Sequence, residues 1–309
     1  MRFAEGAVDE AGELLRSRGF EGYALLTTER FLSTPLAEGA EAVISVPAGP
    51  VAEVSAAVRG EVGGRPLVAL GGGRVIDSAK ALGAADGLEV AALPTTLSGA
   101  ELTRFHRLPE GVQGKLPVRP SLVVADPALM ASAPMPLLAA TALNALAHAV
   151  EALYTPLANP VASMAGLRAA ALIAGGLDDP EPDRASLALG ALLAAYASGS
   201  AGYAVHHVVC QTIVRVGSTP HAETNATMFP HSVRLMHERA PEVMAQVDEA
   251  IGDPDRLAHR AEVSGLRALG FDPDRVDEVV AAVLPRAELA NTPNAPGESE
   301  LRAFVEGAL

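Results

Sequence analysis

Between residues 20 and 129 short apolar runs alternate with helix-forming ones, and this alternation limits the chain more than any other feature. Tyr23–Thr27, Ala42–Val46, the run before Gly71, the run before Pro94 and the segment 121–129 read as strands. Helix-period stretches such as VAEVSAAVRGEV and RVIDSAKALGAA separate two of these intervals, and a further helix is expected over 8–18. Strands spaced by helices cannot pair as hairpins, so they form a parallel, doubly wound sheet. After Asp126 the pattern changes. Helical runs follow at 137–154, 160–176, 185–198, 203–215, 221–238, 241–251, 255–269 and 274–287, with no convincing strand. The expected fold is α/β plus all-α: a Rossmann-like nucleotide-binding domain over 1–127, then a helical bundle over 128–309. A length of 309 residues suits two domains. DDPEPD (178–183) reads as a polar inter-helix loop, and ANTPNAP (290–296) as a loop before a last helix.

The helix LLAATALNALAHAVEALY is almost wholly apolar, yet Thr141, Asn144, His148 and Glu151 fall on one stripe along it. A buried stripe of polar groups needs partners, because an unpaired one costs about 1–3 kcal/mol. Other interior polar residues are the natural candidates. Four of the eight histidines, His206, His207, His221 and His231, crowd into residues 202–231. His207 lies in the apolar run VHHVVCQTIV. His221 follows a Gly-Ser-Thr-Pro turn, where Thr219 and Pro220 signal a helix start. In that first turn the positive helix end disfavours imidazolium and keeps the ring neutral. The spacing predicts one polar pocket fed by three helices, joining Asn144 and His148 to His207, Gln211 and His221. Packed or capped histidines explain the spacing equally well. His106, His237 and His259 read as surface side chains, His231 as marking a kink at Pro230, and Cys210 as buried filler.

The net charge of −14 argues against nucleic acid as a partner, since phosphate binding needs a Lys/Arg excess. Cys210 is the only cysteine, which excludes a disulfide within the chain and fits a reducing compartment. The start MRFAEGAVDE has no apolar signal core, and no uncharged apolar run free of His and Asn reaches about 18 residues. The expectation is a soluble cytoplasmic protein with a small-molecule partner and no membrane.

Gly71, Gly72 and Gly73 stand directly between a strand and a helix. Glycines there let backbone come close to a ligand, and the helix start offers free N–H groups to phosphate. Neither GxGxxG nor the P-loop pattern is present. Pro94-Thr95-Thr96 ends the next strand on the carboxyl edge where such sheets bind ligands, which favours a nucleotide site. Asp77 and Lys80, one turn apart, read as a surface pair.

Taken in order, GGGRVIDSAKALGA, LPTTLSGAELT, DPAL, LNALAHAVEALY and HH-x3-Q…TPHAETNATMFPH resemble the iron-containing alcohol dehydrogenase superfamily over roughly residues 20–235. Within it the chain is most similar to the maleylacetate reductases, whose LNAIAHAVE, HHKLCH and PHAETH forms are echoed here. The resemblance implies a dehydroquinate synthase-like fold, an active site in the cleft between the domains, and a homodimer. It assigns NADH or NADPH to Gly71, Gly72, Gly73, Thr95, Thr96, Ser98, Thr103 and Lys115. It makes Asn144, His148, His207 and His221 catalytic. In metal-dependent members an Asp and three His hold Fe or Zn; here Asn144 replaces the Asp and leaves His148, His207 and His221 as ligands. Gln211 stands where a further active-site histidine is usual, Arg74 and Ala100 replace serines, and Thr28 replaces an acid near the adenosine ribose.

The first expectation is therefore an NAD(P)H-dependent reductase of an unsaturated oxo acid such as maleylacetate, with Arg104 or Lys115 countering the substrate's charge. A Fe- or Zn-dependent alcohol dehydrogenase is the second. A nucleotide-binding homologue without redox activity is the third.

Overall fold

The computed structural model describes residues 1–114, 117–178 and 181–309. The chain divides into two compact units, Met1–Ser132 and Ala133–Leu309.

The first unit is built on a six-stranded sheet in the order β1-β6-β5-β4-β2-β3. Its strands are β1 (Arg2–Phe3), β2 (Ala24–Thr27), β3 (Ala42–Ser45), β4 (Leu67–Gly71), β5 (Val90–Pro94) and β6 (Leu122–Ala125), and every pairing is parallel. In β2, β4, β5 and β6 every residue is buried. A sheet covered on both faces needs apolar residues on both, which is why these strands read as unbroken apolar runs. β3 lies at the edge, with Val43 39% exposed. Successive residues serve opposite faces. Ala24 and Leu26 pack with α3 (Val51–Val62) and α4 (Gly73–Asp86), whereas Leu25 packs with α1 (Ala11–Ser17) and Leu36 of α2 (Pro35–Glu38). α3 and α4 each end on a left-handed glycine, Gly63 and Gly87.

α1 is shorter than the expected 8–18, because residues 4–10 form turns around Gly6 at φ +74°. α2 has only four residues, started by Thr34, whose hydroxyl accepts from Ala37 N–H, and it does not cover its face of the sheet. A cavity of about 700 Å³ remains between α1 and α2, walled by Phe20, Tyr23, Phe31, Leu36, Leu70 and Leu129. The short α5 (Pro127–Met130) belongs to this unit, so the division falls at Ser132, later than the 127 expected. Asp126 caps α5 by accepting from Ala128 N–H at 3.0 Å and also takes Val8 N–H at 3.3 Å. Leu129 packs into the sheet core.

The second unit is all helix: α6 (Met135–Glu151), α7 (Pro160–Asp178), α8 (Arg184–Ala201), α9 (Val205–Gly217), α10 (His221–His237), α11 (Pro241–Ile251), α12 (Pro254–His259), α13 (Val276–Val283) and α14 (Glu298–Glu306), with 3₁₀ turns between. Glycine lets α6, α7 and α8 approach closely. A Cβ on Gly166 would meet the Ala149 carbonyl oxygen at 2.9 Å, and one on Gly190 would meet Ile173 at 2.7 Å. By length and composition α7 would pass for a membrane span, yet it packs against α6, α8 and α11. The helix expected over 255–269 stops at His259, because Glu262, Gly265 and Gly270 take positive φ. That expected over 274–287 opens as a 3₁₀ turn and ends before Pro285.

Candidate active site

The glycine turn lies where β4 passes into α4. Gly72 is the cap residue, no side chain caps the helix, and its first turn holds no acid. The N–H groups there are left for an anion. The glycines also have a structural reason. A Cβ on Gly72 would meet Thr96 at 3.0 Å and one on Gly73 would meet Ser98 at 3.1 Å, so the loop after β5 fills the space those side chains would take. Thr95 N–H donates to Gly71 O at 3.0 Å and locks the two strand ends together. The turn thus gathers Gly71, Gly72, Gly73, Thr95, Thr96 and Ser98, with the Ser98 hydroxyl buried and unpartnered among the described residues. Lys115 lies outside the described residues.

Lys80 is not a surface residue. It is fully buried, and its ammonium donates to Asp77 at 2.7 Å, Ala100 O at 2.9 Å and Phe105 O at 2.7 Å. All three donors are used, and they pin the loop carrying Thr103 against α4. Glu101 in that loop is fully buried, with neither carboxylate oxygen hydrogen-bonded among the described residues. Burial pushes its pKa up to about 7. Arg104 is exposed.

The helical unit brings α6, α8, α9 and α10 around the histidines. His148 and His207 stack face to face, ring centroids 3.6 Å apart and planes 12° from parallel. Glu151, one turn beyond His148, holds His207 twice: its carboxylate lies 2.6 Å from Nδ1 and accepts the backbone N–H at 3.3 Å. When ionised Glu151 takes Nδ1–H, the Nε2 of His207 is a bare, buried acceptor without a partner among the described residues. The Ser198 hydroxyl lies 3.1 Å from His148 Nδ1 and 3.5 Å from Gly202 O. Given to the ring, its hydrogen leaves the proton of His148 on Nε2; given to the carbonyl, it leaves that proton on Nδ1. Burial holds both rings well below the ordinary histidine pKa, so both are neutral. Burial also pushes Glu151 up to about 7. Asn144, on the same face of α6, is buried with its Oδ1 unpartnered among the described residues. Thr141 leaves the stripe, since its hydroxyl donates to its own helix at Leu138 O.

His206 packs edge-on against His207, ring centroids 4.9 Å apart, and its ring nitrogens meet α10. Its Nδ1 is 2.7 Å from Ser232 Oγ and its Nε2 is 3.1 Å from Asn225 Oδ1. Burial takes its pKa down to about 3. His221 opens α10, with Pro220 as the cap residue. Its ring reaches solvent, though crowding still lowers its pKa. Gln211, one turn after His207, does not join the histidines but accepts from Arg286 at 2.9 Å. Arg286 also donates to the Tyr203 hydroxyl at 3.3 Å, and Tyr203 donates to Glu288 at 3.2 Å. Cys210 is fully buried, with its sulfur 3.7 Å from His206 Nε2. Burial raises its pKa well above the ordinary thiol value.

The donor atoms that fall within 4.8 Å of one another belong to His148, Glu151 and His207, and this group does not include His221. It does not suit a shared metal ion. An imidazole lone pair lies in its ring plane, and Zn sits about 2.0–2.1 Å from it. An ion shared by rings stacked at 3.6 Å would lie roughly 1.8 Å out of each plane, half that separation. Glu151 is already committed to His207, and Asn144 offers no charge.

Ser198, Asn225, Ser232, Tyr203, Arg286 and Glu151's grip on His207 escaped the sequence reading. Asn225 and Ser232 at least lie within the histidine-rich segment, and Ser198 interrupts a run rich in alanine. Nothing local marks Arg286, which lies 75 residues from Gln211 in the chain.

A parallel sheet with a glycine turn at a helix start, and a helical unit with neutral imidazoles seated on a carboxylate, define an oxidoreductase of the dehydrogenase class. Residues 138–308 match the model of the Fe-containing alcohol dehydrogenase family, C-terminal. Maleylacetate reductase 1 of Rhodococcus opacus is 38% identical over 224 residues, covering 66% of this chain and 62% of that protein's length. The maleylacetate reductase of Sphingobium indicum is 31% identical over 306 residues, covering 90% and 87%. An iron-containing alcohol dehydrogenase from Corynebacterium glutamicum has the same fold, with TM-score 0.88, 27% identity and coverage of 100% and 94%. This chain belongs to the Fe-containing alcohol dehydrogenase family.

Proposed function

We propose that the protein is an NAD(P)H-dependent reductase of the maleylacetate reductase type, acting on an unsaturated oxo acid. The stacked His148–His207 pair on Glu151, in a chain whose relatives carry that name, is the observation that supports it. Gly71–Gly73, Thr95, Thr96, Ser98 and Thr103 would hold the cofactor. The uncapped start of α4 suits a diphosphate, and the unpartnered Ser98 hydroxyl offers a donor. When bound, the reduced nicotinamide supplies a hydride to the carbon–carbon double bond.

The chain's own residues handle the charge that follows. Hydride addition beta to the ketone places negative charge on its oxygen as an enolate. With Ser198 donating to its Nδ1, His148 carries its proton on Nε2 and donates to that oxygen, and the buried setting strengthens the bond. Asn144, on the same face of α6 as His148, has an unpartnered amide oxygen to offer the substrate. A proton taken from solvent, passed on by His221 at the exposed start of α10 as it gains one from water, then reaches the alpha carbon and gives the saturated oxo acid. Neutral rings suit this work, since a donor must be present without a full charge to desolvate. His221, at the exposed start of α10, serves as a further donor. Rings stacked face to face do not suit a shared Fe or Zn ion. A homodimer in the cytoplasm is the expected setting.

Purified protein is mixed with maleylacetate and NADH or NADPH, and loss of the reduced nicotinamide's absorbance is followed. Turnover with at least one cofactor is expected without added metal. Folded protein that turns over neither sinks the reading.

A further inference from the structure

Asn225 Nδ2 lies 2.7 Å from the backbone carbonyl of His221, one turn earlier in α10. A carbonyl can only accept, so the amide cannot be turned over and Nδ2 must be the donor there. Asn225 Oδ1 therefore faces His206 Nε2 at 3.1 Å, and Oδ1 can only accept. Hence His206 carries a proton on Nε2. Its Nδ1 lies 2.7 Å from the Ser232 hydroxyl, which is also 3.0 Å from Met228 O. The remaining Asn225 N–H is aimed at His221 Nε2, 3.5 Å away. Ser232, His206 and Asn225 are each at most 6% exposed, which keeps water from offering alternatives.

We infer that Asn225, its amide held one way round by the His221 carbonyl and by His206, fixes His221 as the Nδ1–H tautomer and so makes it a hydrogen-bond donor. Asn225 and His206 are positioning residues, since they act through His221, which faces outward. His207 is set the opposite way, with Glu151 taking Nδ1–H and leaving Nε2 bare. The two rings thus present one donor and one acceptor. That His221 uses its proton on the substrate's oxygen rests on the reductase reading; its tautomer does not.

The test is ¹⁵N NMR of the histidine ring nitrogens in the intact protein at neutral pH, with His221 assigned by comparison with the His221→Gln variant. The wild type should show a pyridine-type Nε2 and a pyrrole-type Nδ1 at His221. In Asn225→Asp the carboxylate can only accept from Nε2, so the two signals should exchange types. In the same variant kcat with maleylacetate should fall about 10–100-fold with a smaller change in KM. Ser232→Ala leaves the Asn225 amide held by the His221 carbonyl and should leave the His221 signals as in the wild type. Circular dichroism checks that each variant keeps its helices. A wild-type His221 protonated on Nε2, or an Asn225→Asp spectrum unchanged at His221, overturns the inference. The expected tautomer in a protein that does not turn over maleylacetate supports the role of Asn225 and overturns only the substrate assignment.

Discussion

Each unit has a polar interior, and the two are made differently. In the first, a full charge is buried. Lys80 spends every donor on Asp77 and two carbonyls, and the fully buried Glu101 stands beside it without a hydrogen bond among the described residues. In the second, the groups are neutral imidazoles and amides. His207 is bonded firmly on one side and left with Nε2 to offer on the other, and Asn144 likewise keeps an unpartnered Oδ1 among the described residues. A buried charge must be surrounded, so it serves to hold chain together. A neutral polar group can be left half-satisfied at modest cost, and that residue of capacity is what chemistry uses.

The sharpest way to break this comparison is to remove a group from each side. His207→Ala should lower kcat/KM with maleylacetate by about 10²–10⁴-fold while costing less than about 3 kcal/mol of stability in a denaturant titration. A variant that unfolds without losing specific activity would reverse the roles assigned here. Lys80→Met should do the opposite in the same titration and cost about 3–5 kcal/mol, since Asp77 and two carbonyls lose their partner. A loss under about 1 kcal/mol would mean that the ammonium does not hold the loop.

Glu101→Gln gives the smallest effect and the most diagnostic one. Burial raises the carboxyl from its ordinary 4.5 to about 7. The folded state therefore binds the proton more tightly than the unfolded state. Stability from this group is fully present below pH 4.5 and is lost as pH rises through about 7. The shift corresponds to roughly 3 kcal/mol. Glutamine does not titrate, so the variant should gain on the wild type by up to that amount between pH 5 and 8, read as a pH-dependent difference in melting temperature. A constant difference across that range would place Glu101 in a wetter setting than the structure gives it.

The sheet was legible because both its faces are covered: β4 and β5 are apolar at every position, and only a strand so placed reads that way. The stripe on α6 was legible for a similar reason, since Asn144, His148 and Glu151 stand out against alanine and leucine. What sequence spacing could not give was which polar groups meet. Thr141 fits the stripe perfectly and bonds its own helix instead. Lys80 and Asp77 do pair, but the carbonyls that bury the lysine belong to a loop whose path no local pattern sets. Helix ends were lost where positive φ was required of an ordinary residue, as at Glu262. Arg286 and Gln211 meet only through tertiary packing.

The lone thiol has one more consequence. Cys210 lies on α9, fully buried and 3.7 Å from His206 Nε2, and burial suppresses its reactive thiolate. Any reagent that modifies it must wait for the packing around α9 to open. The molecule therefore carries a built-in gauge of how often that packing opens, readable without adding a label.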